Sequence, residues 1–416
     1  MALSWRLGHG INGTCGMCLI GKAIDRVRPV FRSTTMRRWR SGSRRPWVWL
    51  MTILSCLYLG TGTKALFGKD TTEDPPKGQQ TTVAASAEQA PPREAQDTHA
   101  RPKAGKYVKI ATIGPRPLSV QADRDPQAVV AAMIAHWRGR FAQVLPDKPD
   151  LIVVPEACDR PSGFSGDKCL EYYRARKDQV QQFFAQTARE NHCYIVYSAA
   201  RQMDDGTWRN SSVLIDRAGE VVGIYNKNHV VIEETTGSGI LCGRDAPVFD
   251  CDFGRVAFAI CFDLNFDELR LKYKQAKPDL ILFSSMYHGG LMQAYWAYSC
   301  RCHFVGAVAG LPCEIRTPLG DVVASNTNYF DYAVATVNLD CRLVHLDYNW
   351  ERLRALKAKY GPNVQITDPG YLGCVLVASE HETVPVEAMV REFNIELLDD
   401  YMARALAHRH APGNME

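Results

Sequence analysis

From Tyr107 onward, apolar runs of strand length alternate with stretches whose apolar residues recur every three to four positions. Val108 to Ile113 reads as a strand. Asp125-Pro126 then opens a helix that places Val129, Val130, Met133, Ile134, Trp137 and Phe141 on one face. Leu151-Ile152-Val153-Val154 is continuously apolar, the pattern of a strand buried on both faces. A helix is predicted over 176–190, burying Val180, Phe183, Phe184 and Thr187. Strands follow at 194–197, 211–215 and 221–225, the last two joined by a turn at Arg217-Ala218-Gly219. Further strands are predicted at 256–260, 280–283, 304–309 and 333–337. Hairpin signals mixed with strand–helix units predict a mixed-sheet α/β domain over 107–345, with helices outside. Residues 346–416 read as a helix-rich C-terminal extension. Its Leu353, Leu356, Met389, Phe393, Leu397 and Leu398 stand at helical spacing, either to cover the core of their own subunit or to mediate oligomerisation. No internal repeat is visible in the sequence.

The pattern ahead of Tyr107 is different. Pro46 to Thr63 carries no charge, and its apolar centre, Trp47 to Leu59, is 13 residues long, short of the roughly 20 that a spanning helix needs. Met36-Arg37-Arg38-Trp39-Arg40 and Arg44-Arg45 precede it, and Gly60, Gly62 and Ala65 follow. Positive charge, a short apolar run and small residues describe a secretory signal. Residues 36–68 are therefore expected to be a signal peptide or an uncleaved membrane anchor. Met36 is then the expected start, and 1–35 a mis-assigned extension. Cys56 within Ile53-Leu54-Ser55-Cys56 also resembles a lipoprotein cleavage box, although the apolar residues after it weigh against that version. Residues 69–106 contain one large aliphatic residue, Val83, too little burial to offset ordering, so a disordered linker is expected. The chain should be exported, to the periplasm or cell envelope, with a membrane tether as the alternative to cleavage.

Composition changes this picture in one respect. The 416 residues carry a net charge of +4, yet residues 1–45 hold ten Lys and Arg against a single acid. The rest of the chain is mildly acidic, so its folded part is not a nucleic-acid binder. Of 14 cysteines, Cys15, Cys18 and Cys56 fall in the leader. In an oxidising compartment the others could pair and leave Cys261 free. Cys158 and Cys169, flanking the loop after Glu156, are the pair to test first, against the alternative that all are reduced and buried.

Three predicted strands end in reactive side chains. Leu151-Ile152-Val153-Val154-Pro155 leads into Glu156, Gly223-Ile224-Tyr225-Asn226 into Lys227, and Val256-Ala257-Phe258-Ala259-Ile260 into Cys261. Singly, each has a bland explanation: a cap, a solvated lysine, a core cysteine. Together, in this order and spacing, they resemble the signature of the nitrilase superfamily of carbon–nitrogen hydrolases, over roughly Tyr107 to Asp340. Glu234, seven residues after Lys227, stands where that family often has a second glutamate. The resemblance implies a four-layer α-β-β-α sandwich without metal or organic cofactor. Two segments depart from it: Asp267 replaces a common Pro, and Arg301-Cys302-His303 replaces the usual run there.

The implied chemistry has a physical basis. A thiol attacks well only when a base removes its proton, the role expected of Glu156, with Glu234 helping to position it. Lys227 and the backbone N–H of Phe262 would hold the developing oxyanion. The run Cys261-Phe262-Asp263 is closer to the amidase and carbamoylase branches, Cys-Tyr-Asp, than to nitrilases, Cys-Trp-Glu. The expected function is therefore an exported thiol hydrolase cleaving a small-molecule amide or N-carbamoyl C–N bond through a Cys261 thioester. Tyr287 and His288, in Met286-Tyr287-His288-Gly289-Gly290, are expected to contact substrate, and His229 either orients the Lys227 loop or packs. Alternatives are a nitrilase or N-acyltransferase with the same triad, a Cys261–His288 hydrolase, and a non-catalytic cell-envelope binding protein. The resemblance also implies a homodimer or larger homo-oligomer.

Overall fold

The computed structural model describes residues 107–416 apart from Ala122. The expected extension, signal or anchor and linker over 1–106 lie outside the described residues. In chain order the elements are β1 (Tyr107–Ile113), α1 (Pro126–Val144), β2 (Leu151–Val153), α2 (Gly166–Arg176), α3 (Gln179–Asn191), β3 (Tyr194–Gln202), β4 (Trp208–Ile215) and β5 (Val221–Asn226). Next come α4 (Ile232–Ser238), β6 (Val248–Cys251), β7 (Gly254–Ile260), α5 (Asp267–Ala276), β8 (Leu280–Ser285), α6 (Leu291–Cys300) and β9 (His303–Val308). The chain continues through β10 (Glu314–Arg316), β11 (Val322–Ser325), β12 (Tyr332–Asn338), β13 (Cys341–His345), α7 (Trp350–Tyr360), β14 (Val364–Thr367), β15 (Cys374–Ser379), α8 (Val386–Glu392) and α9 (Leu398–His410).

Two six-stranded sheets form the body, in the orders β12-β1-β2-β3-β4-β5 and β11-β10-β9-β8-β7-β6. Each has three parallel strands at its centre, an antiparallel pair on one side and one antiparallel strand on the other. The two halves thus share a topology that their sequences do not announce. Alternation along each strand sorts side chains between two cores. Val108, Ile110, Leu151, Val153 and Val196 face the second sheet, whereas Ala111, Ile113, Ile152 and Ile195 face α1 and α3 through Val129, Met133, Trp137, Phe141 and Phe184. Beyond the second sheet, Leu269, Tyr273, Trp296 and Ala297 of α5 and α6 close the inner core. The order helix, sheet, sheet, helix is the four-layer sandwich.

Two side-chain hydrogen bonds tie the sheets together near the strand ends that matter. Thr112 Oγ1 donates to Gly306 O at 2.9 Å, and Ser284 Oγ to Val154 O at 2.8 Å, two residues before Glu156. The helix predicted over 176–190 is α3, and a further helix that the sequence reading missed, α2, ends just before it, where Lys177 adopts φ +48. The C-terminal extension is more than helical. β13 leaves the body to pair with β15, which also pairs with β14. Leu353, Leu356, Met389, Phe393 and Leu397 fill the core beneath that sheet, and Leu398 packs with Leu319, Leu343 and Tyr298. These residues are spent inside their own chain. Among the described residues no helix is long and apolar enough to cross a membrane.

Candidate functional site

Glu156 follows β2, the second of the central parallel strands, and is 5% exposed. Lys227 directly follows β5, at the edge of the same sheet. Its N–H donates to Asn210 O at 2.8 Å, which continues the β4–β5 ladder by one residue. That step turns Lys227 inward, where it is 1% exposed. Its ammonium donates to Glu156 Oε1 at 2.9 Å and to Glu234 Oε2 at 2.6 Å. Glu234 reaches it because it is the third residue of α4. Its carboxylate folds back over the helix start and accepts Val231 N–H at 3.0 Å, an ordinary habit for glutamate there.

Asn210, which the sequence reading missed, completes the cluster. Its Nδ2 donates to Glu156 Oε1 at 2.8 Å and to Glu234 Oε1 at 2.9 Å. Two carboxylate acceptors fix which end of the amide points inward. Burial by itself would lower the Lys227 pKa; the charges of Glu156, Glu234 and Cys261 outweigh it and raise it. The lysine therefore stays cationic, held between two carboxylates.

Cys261 arrives from the other sheet. It ends β7 and starts a 3-10 turn, Cys261–Asn265, with φ +48. That left-handed value is costly for a residue with a side chain, and such strain clusters at working sites. Burial pushes its thiol up to about 12, with the charge and hydrogen bond of Glu156 adding to the rise; Lys227 and the Met286 N–H oppose it. The resting sulfur is a neutral thiol. Lys227 favours the thiolate but does not outweigh burial and Glu156. Phe262 follows in the first turn, where backbone N–H groups lack partners within a helix. Its ring is 36% exposed and meets Phe266 edge-on at 5.1 Å.

The two proposed substrate contacts part company. Tyr287 feels the charges of Cys261 and Glu156. Its phenol is pushed up to about 12, chiefly by burial, and accepts from Asn265 Nδ2 at 3.1 Å. His288 turns to other partners: Nδ1 accepts Gly290 N–H at 3.2 Å, and Nε2 lies 3.6 Å from Glu314. Among the described residues no hydrogen bond or ion pair joins this ring to Cys261, the contact that the Cys261–His288 alternative needs. His229 both packs and orients. It stacks on Phe266 at 4.0 Å, while its N–H and Nδ1 contact Asp263 Oδ1 at 2.7 and 3.0 Å.

Each described cysteine is a free thiol, Cys158 and Cys169 included. Among the described residues no group of three or more His, Cys, Asp and Glu could hold a metal ion. What the cluster can do is proton transfer around a nucleophilic sulfur, with a buried cation beside it.

Comparison with known proteins shows the family. The carbon–nitrogen hydrolase family model matches residues 87–304, just over half the chain. The chain belongs to the carbon–nitrogen hydrolase family, within the nitrilase superfamily. Deaminated glutathione amidase of Mus musculus is 29% identical over 127 residues, covering 27% of this chain and 39% of that protein. The Dictyostelium discoideum protein of the same name is 24% identical over 166 residues, 36% of this chain and 57% of its own. The match thus spans between about two fifths and three fifths of these curated relatives. A carbon–nitrogen hydrolase from Helicobacter pylori G27 superposes with a TM-score of 0.50 at 13% identity, covering 61% of this chain and 93% of that one. The chain shares its fold.

Proposed function

We propose that this family member hydrolyses a non-peptide C–N bond of amide or N-carbamoyl type through a thioester on Cys261, outside the cytoplasm. The observation that carries the reading is the convergence of Glu156, Lys227 and Glu234 on one buried hydrogen-bonded cluster beside the Cys261 thiol. The names of the curated relatives, amidases, favour an amide over a nitrile. Export rests on the basic and apolar leader alone.

Because the thiol holds its proton, attack and proton loss occur together. The Sγ–H proton passes to Glu156 as the C–S bond forms. The carbonyl oxygen becomes an oxyanion beside Lys227 and the Phe262 N–H; removing one such donor costs roughly 3 kcal/mol of barrier. Glu156 then gives its proton to the departing nitrogen, the C–N bond breaks and an amine or ammonia leaves. In the second half Glu156 takes a proton from water, the hydroxide adds to the thioester, and collapse releases the acid and returns the proton to sulfur. Asn210 and Glu234 keep the Glu156 carboxylate aimed while it gains and loses a proton twice.

The test is intact-protein mass spectrometry of residues 66–416 with a panel of short amides, carbamoyl amino acids and nitriles. An acyl adduct mapping to Cys261, absent from Cys261→Ala, supports the reading, and its mass names the acyl group. Undiminished hydrolysis by a folded Cys261→Ala variant overturns it. A Cys261 inert to every panel member and to iodoacetamide points to a binding protein instead.

A further inference from the structure

Arg116 is a cation without a counter-ion at the edge of the proposed site. It lines a narrow recess together with Glu156, Ala157 and Met286. It also lines the adjoining cavity of about 700 Å3, shared with Arg140 and Tyr329. Among the described residues no carboxylate pairs with it, whereas Arg140 is neutralised by Asp331 at 2.7 Å. Lys227, the other cation nearby, already serves two carboxylates. His136, also on the recess, is kept neutral by burial and by Arg140. Among the described residues on these walls, Arg116 is thus the one positive charge free to meet a ligand.

The residue is exposed, but its backbone is restrained. Pro115 and Pro117 flank it, restricting the backbone on both sides. Its stem lies across Gly310, where φ is +66 and an added Cβ would stand 2.8 Å from Arg116 Cγ. The glycine gives the arginine its path. A planar guanidinium offers paired donors that match a carboxylate.

We propose that Arg116 binds a carboxylate carried by the substrate, so that the preferred substrates are amides or carbamoyl compounds bearing a free acid and not neutral amides. The inference rests on Cys261 as nucleophile. The test compares two sets of compounds, each against its own methyl esters: the monoamides of dicarboxylic acids with three to six carbons, and N-carbamoyl amino acids. Each is run with the wild type, Arg116→Met and Arg116→Lys. In the wild type at least one acid should exceed its ester in kcat/KM by about 10- to 100-fold, mainly through KM. Arg116→Met should remove that preference and leave ester hydrolysis within about twofold, and Arg116→Lys should restore part of it. Equal turnover of acids and esters by the wild type, or an equal loss on both in Arg116→Met, overturns the assignment. So does turnover of none of them while iodoacetamide still labels Cys261. A Cys261 that is inert throughout refutes the hydrolase reading itself.

Discussion

Replacing Glu156 with Gln should make Cys261 more reactive toward alkylation while stopping hydrolysis. The wild-type thiol is pushed up to about 12 from an ordinary 9. Three pH units correspond to about 4 kcal/mol in favour of the neutral form. Burial is the largest cause, followed by the negative charge of Glu156, whose hydrogen bond to the sulfur adds to it, and Lys227 opposes both. The Gln side chain keeps the shape and deletes the charge. Lys227 then acts on the sulfur with one carboxylate fewer to neutralise it. At pH 8 the wild-type thiolate fraction is about 10⁻⁴, and each pH unit by which the thiol becomes more acidic raises it tenfold. Iodoacetamide labelling of Cys261 at pH 8 should therefore be at least about tenfold faster in Glu156→Gln. Hydrolysis should fall by roughly 10²- to 10⁴-fold, the usual worth of a general base. The assay follows the Cys261 peptide by mass spectrometry from pH 7 to about 10.5, with the exposed Cys242 as the reference thiol in the same molecule. Labelling that is unchanged or slower in the variant would refute the idea that a Glu156 carboxylate faces the sulfur.

Three further outcomes follow from the packing. Burial holds His303 neutral, at about 4 against 6.5. Between those values the unfolded chain binds the proton and the folded chain does not, so stability falls as pH drops from 6.5 to 4, by up to about 3 kcal/mol. His303→Gln should flatten Tm against pH over that window, and an unaltered slope counts against it. At Gly243 an added Cβ would lie 2.2 Å from Asn226 O, next to Lys227, whose carbonyl accepts Gly243 N–H at 2.7 Å. Gly243→Ala should cost about 1–3 kcal/mol by overpacking and lower kcat by moving the lysine; wild-type kcat would contradict this. Arg301 pairs with Asp399 at 3.0 Å and lies over Tyr298, holding α9 to α6. Arg301→Ala should cost about 1 kcal/mol and speed hydrogen exchange in 398–410 with kcat intact.

What could be read from the chain follows from where the information sits. Strands β2, β7 and β8 are buried on both faces, so their apolar runs stand out, and the groups placed just past β2 and β7 could be named. The helix α2 could not, because it buries only Cys169, Tyr172, Tyr173 and Arg176 and shows no apolar face. Asn210 was invisible for a different reason. It sits in Arg209-Asn210-Ser211-Ser212, a polar run inside β4, and its role appears only when β5 is in register. The Met286 N–H acts through the backbone, which no side-chain pattern reports. Tyr287 and His288 looked equivalent as neighbours on one loop; the turn at Gly289 and Gly290 and the Glu314 carboxylate separate them. Arg301, which opens the run that departs from the family pattern in sequence, pairs with Asp399, a residue of the extension.

The same logic revises what Asp263 means. In sequence, Cys261-Phe262-Asp263 favoured the amidase and carbamoylase branches over nitrilases, as though the third residue chose the substrate. In the structure Asp263 is wholly buried. Its carboxylate accepts the Tyr225 hydroxyl at 2.6 Å, the Ile260 N–H at 3.0 Å and the His229 N–H at 2.7 Å. Tyr225 and His229 bracket Lys227 in sequence, and Ile260 precedes Cys261. Asp263 is therefore a brace between the loop that carries the lysine and the strained turn that carries the thiol. A carboxylate so fully occupied has nothing left for a substrate. The presence of a carboxylate at this position is explained by the need to hold two loops from different sheets in register around the left-handed Cys261. Substrate choice must then be read from groups that face the open space, and among the described residues lining it Arg116 is the one cation that no carboxylate pairs.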